Sequence, residues 1–198
     1  MYILTLCDRV LCSNRDEYLA RPTTPAHFHS FSSPSFSAPI LSGIDAQGGG
    51  SWFGINKENG RIAFLLVLSI LLLDTTLAEI SARTNITEPY NKQASSRGHL
   101  VSEYLLNGST PNPDTSYAGF NILLLDEQLK PYVFTNNGAG GRIAQAEPTI
   151  GCLSNGIVNV LVENQWEKVT KGSTDFRSAL EQHSSEDELV ELLIDVLS

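Results

Sequence analysis

Basic residues are scarce in this sequence of 198 residues, which has 13 lysines and arginines against 22 aspartates and glutamates and a formal net charge of −9 at pH 7. A protein that binds nucleic acid needs a basic patch to neutralise phosphates. The largest basic cluster here is the pair Lys168 and Lys171. We therefore expect no nucleic-acid partner, and the same shortage disfavours adsorption to anionic membrane surfaces.

Cysteine is also rare, with only Cys7, Cys12 and Cys152. The number is odd and no Cys-x-x-Cys pair occurs, so the sequence has no disulfide framework and is typical of a reducing compartment. The N-terminal apolar run is interrupted by Asp8 and Arg9 and lacks a small-residue cleavage site, so we find no secretory signal. These features predict a cytoplasmic protein.

No apolar run is long enough to cross a membrane. The longest one, Ile62–Leu73, falls short of the ~20 residues that a transmembrane helix needs. Extending it would bring Asp74 and Glu79 into hydrocarbon at high cost. The run therefore predicts a buried strand or helix and no transmembrane span. A membrane-tethered adaptor that uses this run is the alternative.

The apolar pattern predicts a mixed α+β protein with hairpins rather than βαβ units. A near-continuous apolar segment, Tyr117–Asp126, predicts a strand buried on both faces. The turn Lys57–Gly60 contains Asn-Gly, a strong hairpin signal. Proline and serine in residues 21–40 predict an irregular loop. Further strands are expected at Tyr2–Leu6, Val10–Leu11, Trp52–Asn56, Arg61–Val67, residues 131–137 and residues 149–156.

Three helices are predicted. Ser95–Leu106 has apolar residues at helical spacing and is ended by Asn107-Gly108. Ser173–Gln182 and Glu186–Leu197 follow near the end of the sequence, and Ser185 with Glu188 has the spacing of a capping box.

The segment "SNRDEYLARP" places Asn14, Arg15, Asp16 and Glu17 between apolar residues. In order along the chain follow "LSGIDAQGGGSWFGIN", "SSRGHLVSEYL", "YAGFNILLLD" and "IGCLSNG". This ordered set closely resembles the NRDE family, also called the transport and Golgi organisation protein 2 family. The resemblance runs from about residue 11 to residue 171.

The resemblance implies a fold like that of the N-terminal nucleophile hydrolases, an αββα sandwich of two antiparallel sheets between helical layers. We therefore expect residues 1–198 to form a single NRDE-type domain that is incomplete at its C-terminus. The family passes almost directly from "GRIA" to "TN", whereas residues 64–82 intervene here. We interpret this Leu-rich segment as an atypical apolar insert, with a retained intron as a hypothesis that the transcript sequence would test.

The family resembles cysteine amidases, in which an N-terminal thiol attacks an acyl carbon and its own α-amine is the base. An arginine beside the thiol favours the thiolate, an aspartate orients the amine, and amide groups hold the oxyanion. By resemblance, Arg15 and Asp16 match the first two roles. Asn85 in "TNITEP" and Asn155 in "LSNG" match the oxyanion donors. The alternatives are an internal ion pair and ordinary turn asparagines.

The nucleophile itself is absent, because position 2 is Tyr2 rather than cysteine. A bulky second residue disfavours removal of Met1, and a phenol with a pKa of about 10 is a poor substitute for a thiolate. His27 and His29 alternate as on a strand but have no carboxylate or cysteine at ligand spacing, so no metal site is predicted.

Three functions remain open. The resemblance favours a non-catalytic role in Golgi organisation and protein secretion, with association to the Golgi apparatus or mitochondria. A cysteine amidohydrolase acting on a linear amide is the second. The third is a carrier of haem or acyl-CoA. Its ligand would be a small or lipid-like molecule, and no further cofactor is expected.

Overall fold

The computed structural model describes residues 4–7, 10–13, 20–31, 38–67, 96–115, 117, 119–136, 143–146, 151–153 and 167–197. The chain divides into two compact units. The smaller unit comprises Met1–Glu17 with Thr149–Ser198, and the larger unit comprises Tyr18–Pro148. Both contain antiparallel strands and at least one helix, which confirms the α+β class.

The larger unit is built on a seven-stranded antiparallel sheet whose strand order follows the chain order. The ordering arises because each strand pairs with the next along the chain. Its strands are β3 (Thr23–His29), β4 (Ile40–Asp45), β5 (Phe53–Asn56), β6 (Ile62–Val67), β7 (Phe120–Leu125), β8 (Pro131–Asn136) and β9 (Ile143–Ala146), and its helix is α1 (Gly98–Asn107).

Helix α1 covers one face of this sheet. Leu100, Val101 and Leu105 recur at helical spacing and are buried against sheet residues that include Ile40 and Ile122. The helix ends where the sequence predicts, because Gly108 adopts a left-handed φ of 73° and donates its N–H to the Tyr104 carbonyl at 2.8 Å.

Strand β7 is buried along its whole length, as its continuous apolar sequence predicts. Phe120, Ile122 and Leu124 join the core beneath α1. The alternate residues Leu123 and Leu125 are also buried, at 2% and 4% exposure. Since side chains alternate along a strand, both faces of the sheet are covered at β7.

The apolar run forms a strand in the part that the structure describes. Residues 62–67 are β6, paired with β7 along its length, and Phe64, Leu65 and Leu66 are buried. The first four residues of the predicted insert thus belong to this strand, and residues 68–82 lie outside the described ranges. Among the described helices, none is long and apolar enough to cross a membrane.

The prediction of an irregular loop over residues 21–40 is wrong for β3. Proline does not exclude this strand because it lies at the edge of the sheet, where few N–H groups are needed. The regular pairing with β4 is interrupted between Thr24 and His27, and Pro25 lies in that interruption. Strands β4 and β9 were not predicted either.

The smaller unit has a three-stranded antiparallel sheet in the order β10, β1, β2. Its elements are β1 (Leu4–Cys7), β2 (Val10–Ser13), β10 (Gly151–Leu153), α2 (Glu167–Gln182) and α3 (Glu186–Leu197). Phe176 and Ala179 of α2 pack against Leu193 of α3. Ser185 accepts the Glu188 N–H as an N-cap, but the Glu188 carboxylate accepts from Ser184, one residue earlier than in a regular capping box.

Candidate functional site

The site residues predicted by resemblance lie outside the described part of the chain. They are Arg15, Asp16, Asn85 and Asn155, with Asn14 and Glu17 of the same motif and Tyr2 at the nucleophile position. Their roles stay predictions. The structure does describe β1, β2 and β10, the strands that adjoin Tyr2, the NRDE motif and Asn155 in the sequence.

Three chain segments continue from the same end of the strands of the small sheet. Leu4, at the start of β1, is the register partner of both Ser13, at the end of β2, and Leu153, at the end of β10. Cross-strand partners lie about 5 Å apart. The segments that continue from these residues contain Tyr2, the NRDE motif and Asn155.

Two of the cysteines of this sheet, Cys12 and Cys152, lie one residue pair further along the strands. Thr5 is the register partner of both Cys12 and Cys152. Two strand spacings of about 4.8 Å separate the backbones of these cysteines by roughly 9.5 Å. A disulfide requires Cα atoms less than about 7 Å apart, so this register does not allow a Cys12–Cys152 disulfide.

The glycine run Gly48–Gly50 is a turn that fits against the start of α1. Gly49 and Gly50 have positive φ values of 72° and 74°. A Cβ atom added to Gly50 would lie 2.2 Å from the Gly98 carbonyl oxygen, and one added to Gly98 would lie 2.6 Å from the Gly49 oxygen. In the described structure, the glycines therefore allow close approach of two protein segments.

Asp45 organises this turn. Its carboxylate accepts an Arg21 N–H at 2.6 Å and the backbone N–H groups of Gln47 and Gly48 at 3.0 and 3.1 Å. Burial alone would raise the pKa of Asp45, but these hydrogen bonds, with Arg21 first, hold it below its ordinary value. The Arg21 guanidinium also lies 5.9 Å from the centre of the Trp52 ring.

Sequence reasoning missed this ion pair. The pair joins residues that lie 24 positions apart in the chain. The available signals were an aspartate just before a glycine run and an arginine just before a proline. Neither pattern indicates which residues meet, because the contact depends on the pairing of β3 with β4.

His29 and Ser42 form the one described histidine–serine pair, with 2.8 Å between Nε2 and Oγ. The Phe31 backbone N–H donates to His29 Nδ1, so the neutral ring carries its proton on Nε2 and donates to Ser42. A general base for serine would need the opposite tautomer. This pair is therefore structural, and the described residues contain no group of three metal-ligating side chains around it.

The His29 pair predicts a pH dependence. Burial, and then the nearby His27, lower the pKa of His29. A lowered pKa means that the unfolded chain binds the proton more tightly, so this stabilisation is complete above pH 6.5 and is lost as the pH falls below that value. In urea unfolding between pH 7 and 5, the slope of stability against pH should be smaller in His29→Gln than in the wild type. Equal slopes would contradict this assignment.

The chain matches known proteins along most of its length. The sequence profile of the family described as Transport and Golgi organisation 2 matches residues 7–198. A mouse relative, Transport and Golgi organization 2 homolog, is 30% identical over 204 residues, and its human counterpart is 29% identical over 208. A Drosophila melanogaster relative, Transport and Golgi organization protein 2, is 25% identical over 192 residues.

The relatives are longer than this chain. The mouse and human alignments cover 96% of the chain and 64% of each relative, and the Drosophila alignment covers 88% and 59%. The chain therefore spans about two thirds or less of the length of the curated relatives it matches.

Proposed function

The chain belongs to the Transport and Golgi organisation 2 family, and on this premise we propose that it acts in Golgi organisation and protein secretion by binding a small acyl or amide ligand without hydrolysing it. Its place of action is the cytoplasm, in association with the Golgi apparatus. The observation that carries the site is the register of Leu4 with Ser13 and Leu153.

The proposed fold is the αββα sandwich of the N-terminal nucleophile hydrolases. Two features support it. Each compact unit contains an antiparallel sheet of its own. The larger sheet is buried on the face that α1 covers and also on the opposite face, where Leu123 and Val133 are each 2% exposed. A sheet covered on both faces is expected of an inner layer.

The proposed site lies at the end of the small sheet where Leu4, Ser13 and Leu153 pair and from which residues 1–3, 14–19 and 154 onward continue. Arg15 and Asp16 follow the paired residue Ser13, and Asn155 follows the paired residue Leu153, by two or three positions in the sequence. An arginine and an asparagine can donate hydrogen bonds to a carbonyl or carboxylate oxygen. The site then binds an acyl group.

Catalysis is not proposed, because the family resemblance implies a cysteine nucleophile at position 2, where this sequence has Tyr2. The reaction would need a thiol and a free α-amine on one residue. A tyrosine with its ordinary pKa of about 10 is almost fully protonated at pH 7, and its bulk leaves Met1 in place. The NRDE residues then hold a ligand and have no thiolate to activate.

We expect the expressed chain to retain Met1 by mass spectrometry and to show no hyper-reactive cysteine toward an iodoacetamide probe. In cells depleted of their own family member, the wild-type chain should restore Golgi morphology and secretion as well as Tyr2→Cys does. Arg15→Ala should fail, while Arg177→Ala, at an exposed position of α2, should succeed.

Two outcomes would contradict the proposal. A processed N-terminus with one hyper-reactive thiol, mapped by Cys7→Ser and Cys12→Ser, would favour the cysteine amidohydrolase. Rescue by Tyr2→Cys but not by the wild type would show that the family role needs the nucleophile.

A further inference from the structure

A cavity of about 250 Å³ lies in the larger unit, where the end of α1 meets the hairpin between β7 and β8. It is distinct from the NRDE segment, since the residues that form it all lie between positions 61 and 132. Two tyrosine rings and Leu124 provide apolar walls, and charged groups stand among them. The charged side chains that line it are Arg61, Asp126 and Glu127, and the neutral polar ones are Tyr104, Thr110, Gln128 and Tyr132.

Tyr104 lines this cavity and carries a hydroxyl that can donate a hydrogen bond. The residue is 5% exposed, and its hydroxyl has no hydrogen-bond partner among the described residues. Burial and the negative charge of Asp126 raise the pKa of Tyr104, while Arg61 opposes them, so the phenol stays protonated and can donate. This hydroxyl is therefore available to donate to water or to a ligand in the cavity.

Arg61 is the second donor. Its guanidinium lies against Gly108, the C-cap of α1. A Cβ atom added to Gly108 would be 2.9 Å from the Arg61 Cζ atom. Nη2 donates to Glu127 at 2.9 Å. Within the described residues, its other side-chain N–H groups have no acceptor. Two donors with unused capacity therefore line one small cavity.

The carboxylates of Asp126 and Glu127 differ in how many further hydrogen bonds they can accept. Asp126 is used by its own turn, because it accepts the backbone N–H groups of Gln128 and Lys130 at 2.9 Å and the Tyr132 hydroxyl at 3.1 Å. Glu127 is 47% exposed at the cavity, and among the described residues it accepts only from Arg61. Burial alone would raise the pKa of Asp126, but the N–H groups of Lys130 and Gln128 hold it below its ordinary value, so Asp126 is negative at neutral pH.

We propose that this cavity binds a small zwitterion of the size of an α-amino acid. Its carboxylate accepts from the Tyr104 hydroxyl and the free N–H groups of Arg61, and its ammonium group donates to Glu127. A simple anion is disfavoured because Arg61, Asp126 and Glu127 sum to a charge of −1. A simple amine leaves both donors without an acceptor. The volume lies just below that of drug-sized pockets, so the ligand must be compact.

Titration of the full chain with three related probes tests this inference. L-alanine has both charges, propionate only the carboxylate, and ethylamine only the ammonium group. By NMR titration, L-alanine should bind saturably and shift the ring signals of Tyr104 and Tyr132. Each half-molecule should bind at least about tenfold more weakly, because it forgoes a charge-assisted hydrogen bond. L-alanine should also raise the unfolding temperature.

Two variants test the contacts to the carboxylate and to the ammonium group of the ligand separately. Both variants are first shown to unfold with the same cooperativity as the wild type. Tyr104→Phe keeps the ring and removes the hydroxyl, so it should weaken L-alanine by about fivefold and leave ethylamine unchanged. Glu127→Gln should weaken ethylamine and L-alanine alike. Glu103→Gln, at an exposed position of the same helix, is the matched control.

Three results would overturn the inference. One is propionate binding as tightly as L-alanine. Another is a Tyr104→Phe variant with unchanged affinity for L-alanine. The third is the absence of saturable binding at millimolar concentrations, which would mean that the cavity holds only water. None of these results bears on the NRDE segment, so the proposed function would stand or fall separately.

Discussion

Gly50→Ala is expected to destabilise the fold by about 2–5 kcal/mol. Two costs combine. Gly50 has a φ of 74°, and a left-handed conformation costs an alanine about 1–2 kcal/mol. Its added Cβ would also lie 2.2 Å from the Gly98 carbonyl oxygen, so the start of α1 or the turn must move. Overpacking of this kind adds about 1–3 kcal/mol.

Two further glycines separate these costs. Gly60→Ala has a comparable φ of 78° and nothing within 4 Å of the added Cβ, so it should cost only the left-handed term of about 1–2 kcal/mol. Gly98→Ala meets the Gly49 oxygen at 2.6 Å without a positive φ and should show the contact term. Urea unfolding of the three variants measures the terms. If Gly50→Ala were no less stable than Gly60→Ala, the close approach would not matter.

The elements that sequence reasoning predicted correctly are those with a strong local signal. α1 was predicted by its helical spacing and its Gly108 stop, and β7 by its continuous apolar residues. The hairpin between β5 and β6 followed from Asn59-Gly60, and Gly60 has the positive φ that this turn requires. In each case a few neighbouring residues determine the conformation.

The strands that were missed or misassigned depend on distant pairing. β3 contains Pro25 and few large apolar residues, and its residues are mostly exposed. Its extended conformation follows from hydrogen bonds to β4, which local composition does not report. β9 is only four residues long and is a strand because it pairs with β8 at the other edge of the sheet.

The residues of the candidate site also differ in how much the structure says about their surroundings in the chain. Resemblance supplied Arg15, Asp16, Asn85 and Asn155, which no periodicity could have singled out. Their chemical roles and positions stay predictions. In the sequence, Arg15 and Asp16 follow β2 and Asn155 follows β10 by two or three residues, and both strands pair with β1. The segment containing Asn85 has no such described anchor.

The buried polar contacts were beyond sequence reasoning, because each joins residues far apart in the chain. Asn56 donates to the Leu105 carbonyl at 2.9 Å, 49 residues away, and links a hairpin to the end of α1. Asn136 accepts the Phe120 N–H at 2.7 Å. An asparagine in a sequence suggests a turn, and only the fold shows that these two satisfy buried backbone groups.

Asp45→Ala is the second variant with a large expected effect, a loss of about 2–4 kcal/mol. Asp45 is 5% exposed, so its removal leaves Arg21 without this carboxylate and leaves the N–H groups of Gln47 and Gly48 without their acceptor. The loss stays below that of a fully buried pair, because the Arg21 side chain is 29% exposed and water can solvate part of its charge.

The same carboxylate predicts an acid transition. The pKa of Asp45 is lower in the folded protein than in the unfolded chain, so its contribution is present above about pH 4 and is lost as the pH falls through the folded value. Asp45→Asn keeps an oxygen for the backbone N–H groups but removes the charge. Its unfolding free energy should therefore depend less on pH in this acid range than that of the wild type.

Urea unfolding at pH 7 and at several acid pH values measures both effects. Glu127→Gln is the matched control, because the Arg61–Glu127 pair is more exposed and should be worth at most about 1 kcal/mol. A loss in Asp45→Ala no larger than that of the control would mean that the turn does not depend on its carboxylate. In that case the approach of Gly50 to Gly98 would be the main contact that holds the turn against α1, and Gly50→Ala should exceed Asp45→Ala in effect.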